Sequence, residues 1–328
     1  MNYECLARSS YLHVYQKGSE MLTQQHYRDI KHTLNFKPAP WVSLGLLGVD
    51  ALLVWMSAWL LRRPDWGSYL ASQVLLACVF FHGFALLHEA GHGNVARNPV
   101  LNHLVGMVAS LMCCMPYWPW VYIHTQHHIW VGNVEKDPTA ANLKRWRAAG
   151  RIPWVLHVAW RYWIPLGAAA QHVVFLGYPL KILGDKRKFW PSVCSVAWVL
   201  GGYLALRHWF PGFMAWRSFA LAIPLYLWVE ELINFPHHSD LHAFSERLPL
   251  WEQWRASRSC HYPWLLSEAL WLNFNYHTEH HLYPSLPWWR LRGVRGEIKG
   301  RLGGSYHESM GISWNLRRRT QDIEEWLL

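Results

Sequence analysis

The residues best placed to do chemistry in this chain are histidines in four clusters: His88 and His92; His124, His127 and His128; His238, four residues after Asn234; and His277, His280 and His281. In a helix, residues three and four apart share one face about a turn from each other, so each cluster aims its imidazoles into a common space. With 21 histidines in 328 residues, one HxxHH arises by chance roughly one time in ten, and two together far more rarely. Neutral imidazole is the commonest biological metal ligand and suits Zn, Cu, Fe and Ni. Two HxxHH boxes, one HxxxH and His238 supply nine imidazoles. A four-coordinate zinc needs only four, so at least two metal ions are predicted.

The elements that position these clusters read as membrane helices. Residues 41–61 are apolar and about 31 Å long if helical, enough to span a bilayer. A short turn, Arg62 to Trp66, leads to a second uncharged span at 67–87, and the first box follows at its exit. Further spans are expected at about 190–209 and 218–235, the last delivering Asn234, His237 and His238 to its end. The stretch from Leu104 to Ile123 is long enough to cross as well, but one crossing would put the second box on the opposite face from the first. Pro116 and Pro119 also interrupt it, so it is expected to be re-entrant or interfacial, where Tyr117, Trp118, Trp120 and Tyr122 are at home. Residues 152–183 are too polar for one crossing and too short for two, and are expected to lie on the membrane surface.

The fold expected is therefore an all-α integral membrane protein. Four transmembrane helices form two hairpins, with interfacial helices and a cytosolic histidine-rich cap holding a two-metal site. Its domains are a cytosolic N-terminal arm (1–40), a membrane domain (41–289) and a basic cytosolic tail (290–328), read as a solvated surface touching lipid headgroups, with a docking site for an acidic electron donor as the alternative. Of the 31 Lys and Arg, only Arg62, Arg63, Arg207 and Arg217 fall in the two predicted outer turns, which places the boxes on the cytosolic side. The net charge of +10 does not point to nucleic acid, because no basic run exceeds Arg317–Arg319 and no nucleic-acid motif is present. The six cysteines form no CxxC and read as packing residues in a reducing compartment. No cleavable signal precedes the first apolar stretch.

Two polar residues interrupt the apolar spans. Asp50 reads as a protonated, hydrogen-bonded contact between helices, and His82 as a ring bonded within the bundle. Ligating histidines usually donate their second N–H to an acid or carbonyl. Glu89, Asp137, Asp240, Glu279, Glu230 and Glu231 are the acids near enough in sequence to serve. His237 is ambiguous beside His238, and is assigned a packing role or one behind the ligands.

The order HEAGH, HTQHH, Asn-x-x-x-His, then HTEHH followed by Leu-Tyr-Pro resembles the membrane fatty acid desaturase/hydroxylase superfamily, from about Phe81 to Trp289. The resemblance implies a non-haem di-iron centre held by His88, His92, His124, His127, His128, His238, His277, His280 and His281, with Asn234 reaching a metal through water. It implies O2-dependent oxidation of an unactivated C–H bond on a fatty acyl or lipid chain. Three residues between His88 and His92, as in many acyl-lipid desaturases, favour desaturation. Relatives that hydroxylate, decarboxylate fatty acids to terminal alkenes or oxidise carotenoids share the pattern. No cytochrome b5, nucleotide or iron–sulfur motif is present, so electrons are expected from a separate ferredoxin, rubredoxin or cytochrome b5 with its reductase. The membrane is expected to be a bacterial inner membrane or the endoplasmic reticulum. A membrane zinc hydrolase and a metal transporter are the readings from other classes. The first would need an open zinc position and a base, the second ligands near the bilayer midplane.

Overall fold

The computed structural model describes residues 22–133, 135–139, 154–238, 241 and 244–309. Over these residues the chain is mostly helical. Helix α1 (Gln24–Thr33) is amphipathic, with Thr23 capping its start by accepting from the His26 N–H, and Tyr27 and Ile30 buried. Helices α2 (Pro40–Leu60) and α3 (Trp66–Gly91) are long and apolar enough to cross a membrane. Asp65 caps α3 by accepting from the Ser68 N–H. The lipid-length exterior is visible in α2, where Trp41, Val49, Leu52 and Trp55 are exposed. A soluble protein would bury such a row.

Helices α4 (Pro99–Cys113) and α5 (Tyr117–Trp130) form a pair bent by 99° at a short break. The break has a local cause. Cys114 adopts a left-handed conformation (φ 57°), and Pro116 follows it and caps α5. A bend of this size suits either a broken span or the expected re-entrant path. Gly106 allows the close approach, since a Cβ there would stand 2.2 Å from the Tyr117 ring.

Helices α6 (Trp154–Arg161) and α7 (Leu166–Leu176) are short pieces within the stretch expected on the surface. Helix α8 (Lys186–Trp209) is another candidate span, begun by an Asp185 cap. The span expected at 218–235 is shorter than anticipated. A 3-10 turn occupies Trp216–Ser218, and helix α9 (Ala222–Asn234) has 13 residues, about 20 Å against a hydrocarbon core of about 30 Å. Among the described residues, three helices are long and apolar enough to cross a membrane, or four if the bent pair counts as one.

Helix α10 (His277–Leu282) carries the third box, and helix α11 (Trp288–Leu302) follows it. One apolar core joins Tyr27 and Ile30 of α1, Leu282 and Tyr283 after the third box, and Leu291, Val294 and Ile298 of α11. Tyr27 stacks on Tyr283 at 4.9 Å, and the Tyr283 hydroxyl donates to the Tyr27 carbonyl. The stretch from 290 to 302, expected as solvated surface, therefore packs with the arm as a base under the third box. A two-residue parallel pairing of Ser259–Cys260 with Glu308–Ser309 brings the chain beyond α11 back to the same region.

Asp50 and His82 answer each other. His82 Nδ1 lies 2.7 Å from Asp50 Oδ1, and its Nε2 lies 2.9 Å from the Ala269 carbonyl. Both groups are buried, so the pair joins α2, α3 and the segment before the third box. The five described cysteines are free.

Candidate metal centre

Each box sits where an element ends. His88 occupies the last turn of α3, and His92 is its C-terminal cap. His124, His127 and His128 fill the final two turns of α5. His238 closes a 3-10 turn, Phe235–His237, that continues α9. The three histidines of α10 are all buried.

The fold gathers all nine expected ligands and sorts them into two groups. One contains His88, His92, His124, His128 and His280; the other contains His127, His238, His277 and His281. Within each group the ligand atoms lie within 4.8 Å of one another. In the first, Nε2 atoms follow one another from His92 to His124 (2.9 Å), His128 (3.0 Å), His280 (2.9 Å) and His88 (3.1 Å). In the second they run from His127 to His238 (3.1 Å), His277 (2.8 Å) and His281 (3.0 Å).

These contacts are not hydrogen bonds among themselves. An imidazole nitrogen carries either one proton or one lone pair. The first group's four contacts would need four protons and four lone pairs from five nitrogens; the second's three would need six from four. A cation at the middle of each group uses every lone pair, so the residues fit metal.

Three of the far nitrogens are fixed so as to leave Nε2 bare, while Nδ1 of His128, His277 and His280 has no partner. His127 Nδ1–H donates to Asp137 Oδ2 at 2.9 Å and Oδ1 at 3.1 Å. His238 Nδ1–H donates to the Ala256 carbonyl at 2.8 Å, and His281 Nδ1–H to Gln253 Oε1 at 3.2 Å. His88 Nδ1 lies 3.5 Å from Glu89 Oε1. Such partners set tautomer and ring direction. Gln253 also donates from Nε2 to the His128 carbonyl at 2.8 Å, so one buried amide ties the second box to the third. Trp120 stacks on His124 at 4.3 Å, and a Cβ on Gly91 would come within 2.6 Å of that indole.

Burial sets the protonation of the cluster. It lowers His92 and His238 to about 3, with the His127 ring adding to both, and holds His277, His280 and His281 well below the ordinary value. The rings are thus neutral, as ligands must be. Burial pushes the Asp137 carboxyl up, but His127 and Thr139 together outweigh it and leave the group below its usual range.

The candidate acids divide. Asp137 orients the His127 ring, and Glu89 stands between His88 and the Trp288 N–H, which donates to it at 3.1 Å. Glu279 accepts from the Ser259 and Tyr306 hydroxyls instead, pinning α10 to its neighbours. Glu231 accepts from the N–H groups of Gly167 and Ala168 and so caps the start of α7. Glu230 is buried within α9 beside Tyr226. Asp240 lies outside the described residues. His237 stacks flat on His277 at 4.1 Å and 10°, with neither ring nitrogen bonded. Asn234 ends α9 half-buried, one turn before His238. Gln253 carried no signal in the sequence, because it lies in a 3-10 stretch, Leu250–Ala256, remote from any box.

A family model described as fatty acid desaturase matches residues 64–311, most of the chain. The chain belongs to the fatty acid desaturase family. It is 24% identical to the sn-1 acyl-lipid omega-3 desaturase (ferredoxin) of Synechocystis sp., over 92% of this chain and 87% of that one. It is also 24% identical to the endoplasmic reticulum acyl-lipid omega-3 desaturase (cytochrome b5) of Arabidopsis thaliana, over 81% and 70%. The sn-1 oleoyl-lipid 12-desaturase of a Picosynechococcus sp. is again 24% identical, over 83% and 78%. With its apolar helices, the chain is a membrane oxidoreductase of lipid metabolism.

Proposed function

We propose that this desaturase-family member holds two irons and uses them to desaturate a fatty acyl chain of a lipid. The observation carrying the reading is the sorting of nine imidazoles into groups of five and four. At a metal–nitrogen distance of about 2.1 Å, tetrahedral ligands stand about 3.4 Å apart, whereas ligands at right angles stand about 3.0 Å apart. The Nε2 contacts of 2.8–3.1 Å favour right angles, and a group of five exceeds what zinc takes. A six-coordinate ion such as iron keeps positions open in both groups, and nitrogen ligands suit it. Asn234 would reach a metal through water. When bound, the pair of irons supplies reduction of O2 coupled to C–H oxidation. The balance is one O2, two external electrons and two protons, with two hydrogens leaving neighbouring methylenes and two waters formed.

The protein's own residues hold and shield this chemistry. Asp137, Ala256 and Gln253 orient three of the rings, and Trp120, Phe274 and the apolar ends of α3 and α5 exclude water. Four membrane crossings with the boxes on the cytosolic face would place the groups where an acyl chain meets a water-borne electron carrier. The arm, 1–40, and the tail, 290–328, flank the membrane domain. Because relatives are named for ferredoxin and cytochrome b5, a carrier of one of these kinds, with its reductase, is the proposed donor. The test is expression with such a reductase system and fed fatty acids, followed by lipid mass spectrometry and metal analysis. An internal double bond with about two irons per chain is expected; about one zinc per chain without oxidised lipid would refute the reading.

A further inference from the structure

Phe274 is the one non-histidine ring, among the described residues, that touches both groups. Its centroid is 5.1 Å from His88 in the first and 5.6 Å from His277 in the second. It rests on Phe84 at 5.2 Å and Phe81 at 6.4 Å, both on α3. Beside it, against His88 and His280, lies a cavity of only about 10 Å³, also lined by Leu272 and Trp288. That is space for about one water, too little for the two methylenes of a forming double bond. A chain reaching both groups past this cavity would have to move the ring.

The backbone leading to Phe274 is shaped for such a role. Leu272 and Asn273 both have positive φ, 48° and 55°, a conformation unfavourable for non-glycine residues and kept only where the surroundings impose it. Asn273 is held on both sides, its N–H donating to the Ser267 carbonyl and its Nδ2 to the Trp288 carbonyl. Just upstream, a π-helical turn (Leu266–Leu270) is anchored to α3 through the Ala269 carbonyl and His82. Its approach presents Trp264 and Leu265 to the exterior, 62% and 57% exposed. Phe81 and Phe84 of α3 form one apolar cluster with Phe274 and Trp271, and Trp271 packs on Tyr262, two residues before Trp264, which makes an apolar seam of side chains between this edge and the two groups.

We propose that the acyl chain lies in this seam and that Phe274 is a positioning residue, fixing which methylenes stand opposite the metals and so the place and outcome of oxidation. The inference rests on the acyl-oxidation reading above. Removing a second neighbouring hydrogen gives an alkene and two waters; holding the chain differently lets oxygen stay on carbon, giving an alcohol and one water from the same O2, two electrons and two protons. A pocket distinguishes chains displaced by one methylene by roughly 10–200-fold. Phe274→Leu and Phe274→Ala, with metal content and melting temperature matching the unsubstituted protein, are expected to change the ratio of double-bond positions, or of hydroxylated to desaturated product, by about tenfold or more.

Double-bond location by gas chromatography and mass spectrometry reads that ratio. A diazirine-bearing stearic acid, photolysed on the purified protein and mapped by peptide mass spectrometry, reads the seam without turnover. Label on the segment from Leu272 to Trp288, cut about fivefold or more by Phe274→Trp, supports the proposal even if no oxidised lipid forms; in that case it is the oxidation reading that fails. Label elsewhere, indifferent to Phe274→Trp, overturns the proposal. So does an unchanged product ratio in both smaller variants.

Discussion

Asp137 should control the metal of one group and not the other. Its carboxylate is buried and accepts from His127 Nδ1 at 2.9 and 3.1 Å, from the Thr139 hydroxyl at 2.7 Å and from the Thr139 N–H at 2.9 Å. Replacing it with alanine leaves a buried imidazole N–H without an acceptor, a loss of about 1–3 kcal/mol, and frees the ring to turn away from the second group. Losing a partner of this kind typically weakens metal binding 10–100-fold, or about 1.4–2.8 kcal/mol. Asp137→Asn keeps one acceptor and should fall at the mild end, near tenfold. The first group contains no residue bonded to Asp137, so its affinity should move less than about twofold. Stepwise chelation of the detergent-purified protein, with the iron left measured by mass spectrometry, separates the two ions. Equal weakening of both, or of neither, at an unchanged melting temperature would refute the orienting role.

Other expectations follow from the same geometry. Gly91→Ala would press on Trp120 and, through its stack on His124, should lower iron occupancy of the first group more than the second. In the Asp50–His82 pair, Asp50→Ala strands a buried ring nitrogen and should cost about 1–3 kcal/mol of stability, whereas the double change to leucine should recover much of that, measured as melting temperature in micelles. Because burial holds His92 and His238 at about 3 in the fold, against about 6.5 when unfolded, the unfolded chain binds more protons between those values. Stability of the metal-free protein should therefore fall as pH drops from about 6.5 towards 3, and a flat melting profile across that range would count against it.

Much of the centre was legible because its signals are short-range. The spacing of His124, His127 and His128 states that these rings share a helix face, whatever the rest of the chain does. Their division between groups was also within reach. At about 100° per residue, positions i and i+4 lie about 40° apart, and i+3 falls about 60° to the other side. Accordingly His124 and His128 share one group while His127 joins the other, and His277 and His281 pair while His280 crosses over. Pro116 likewise signalled a break within 104–123, and the pair is bent by 99° there, as a broken span or a re-entrant path would be. Long-range partners were not legible. Nothing local connects Asp50 with His82, or Gln253 with His281, because each contact depends on how separate elements dock. The tail misled for the same reason: its many arginines suggested water, while Leu291, Val294 and Ile298, spaced along one face of α11, form a core with α1.

The division of the second and third boxes between both groups would make loading of the proposed metals a late event in the protein's synthesis. Neither group is whole until α10 has been made and folded back, after every apolar helix described here has left the ribosome. A chain halted earlier would carry histidines but no complete cage for a redox metal. The reactive centre is thus withheld until the surrounding protein exists to contain it.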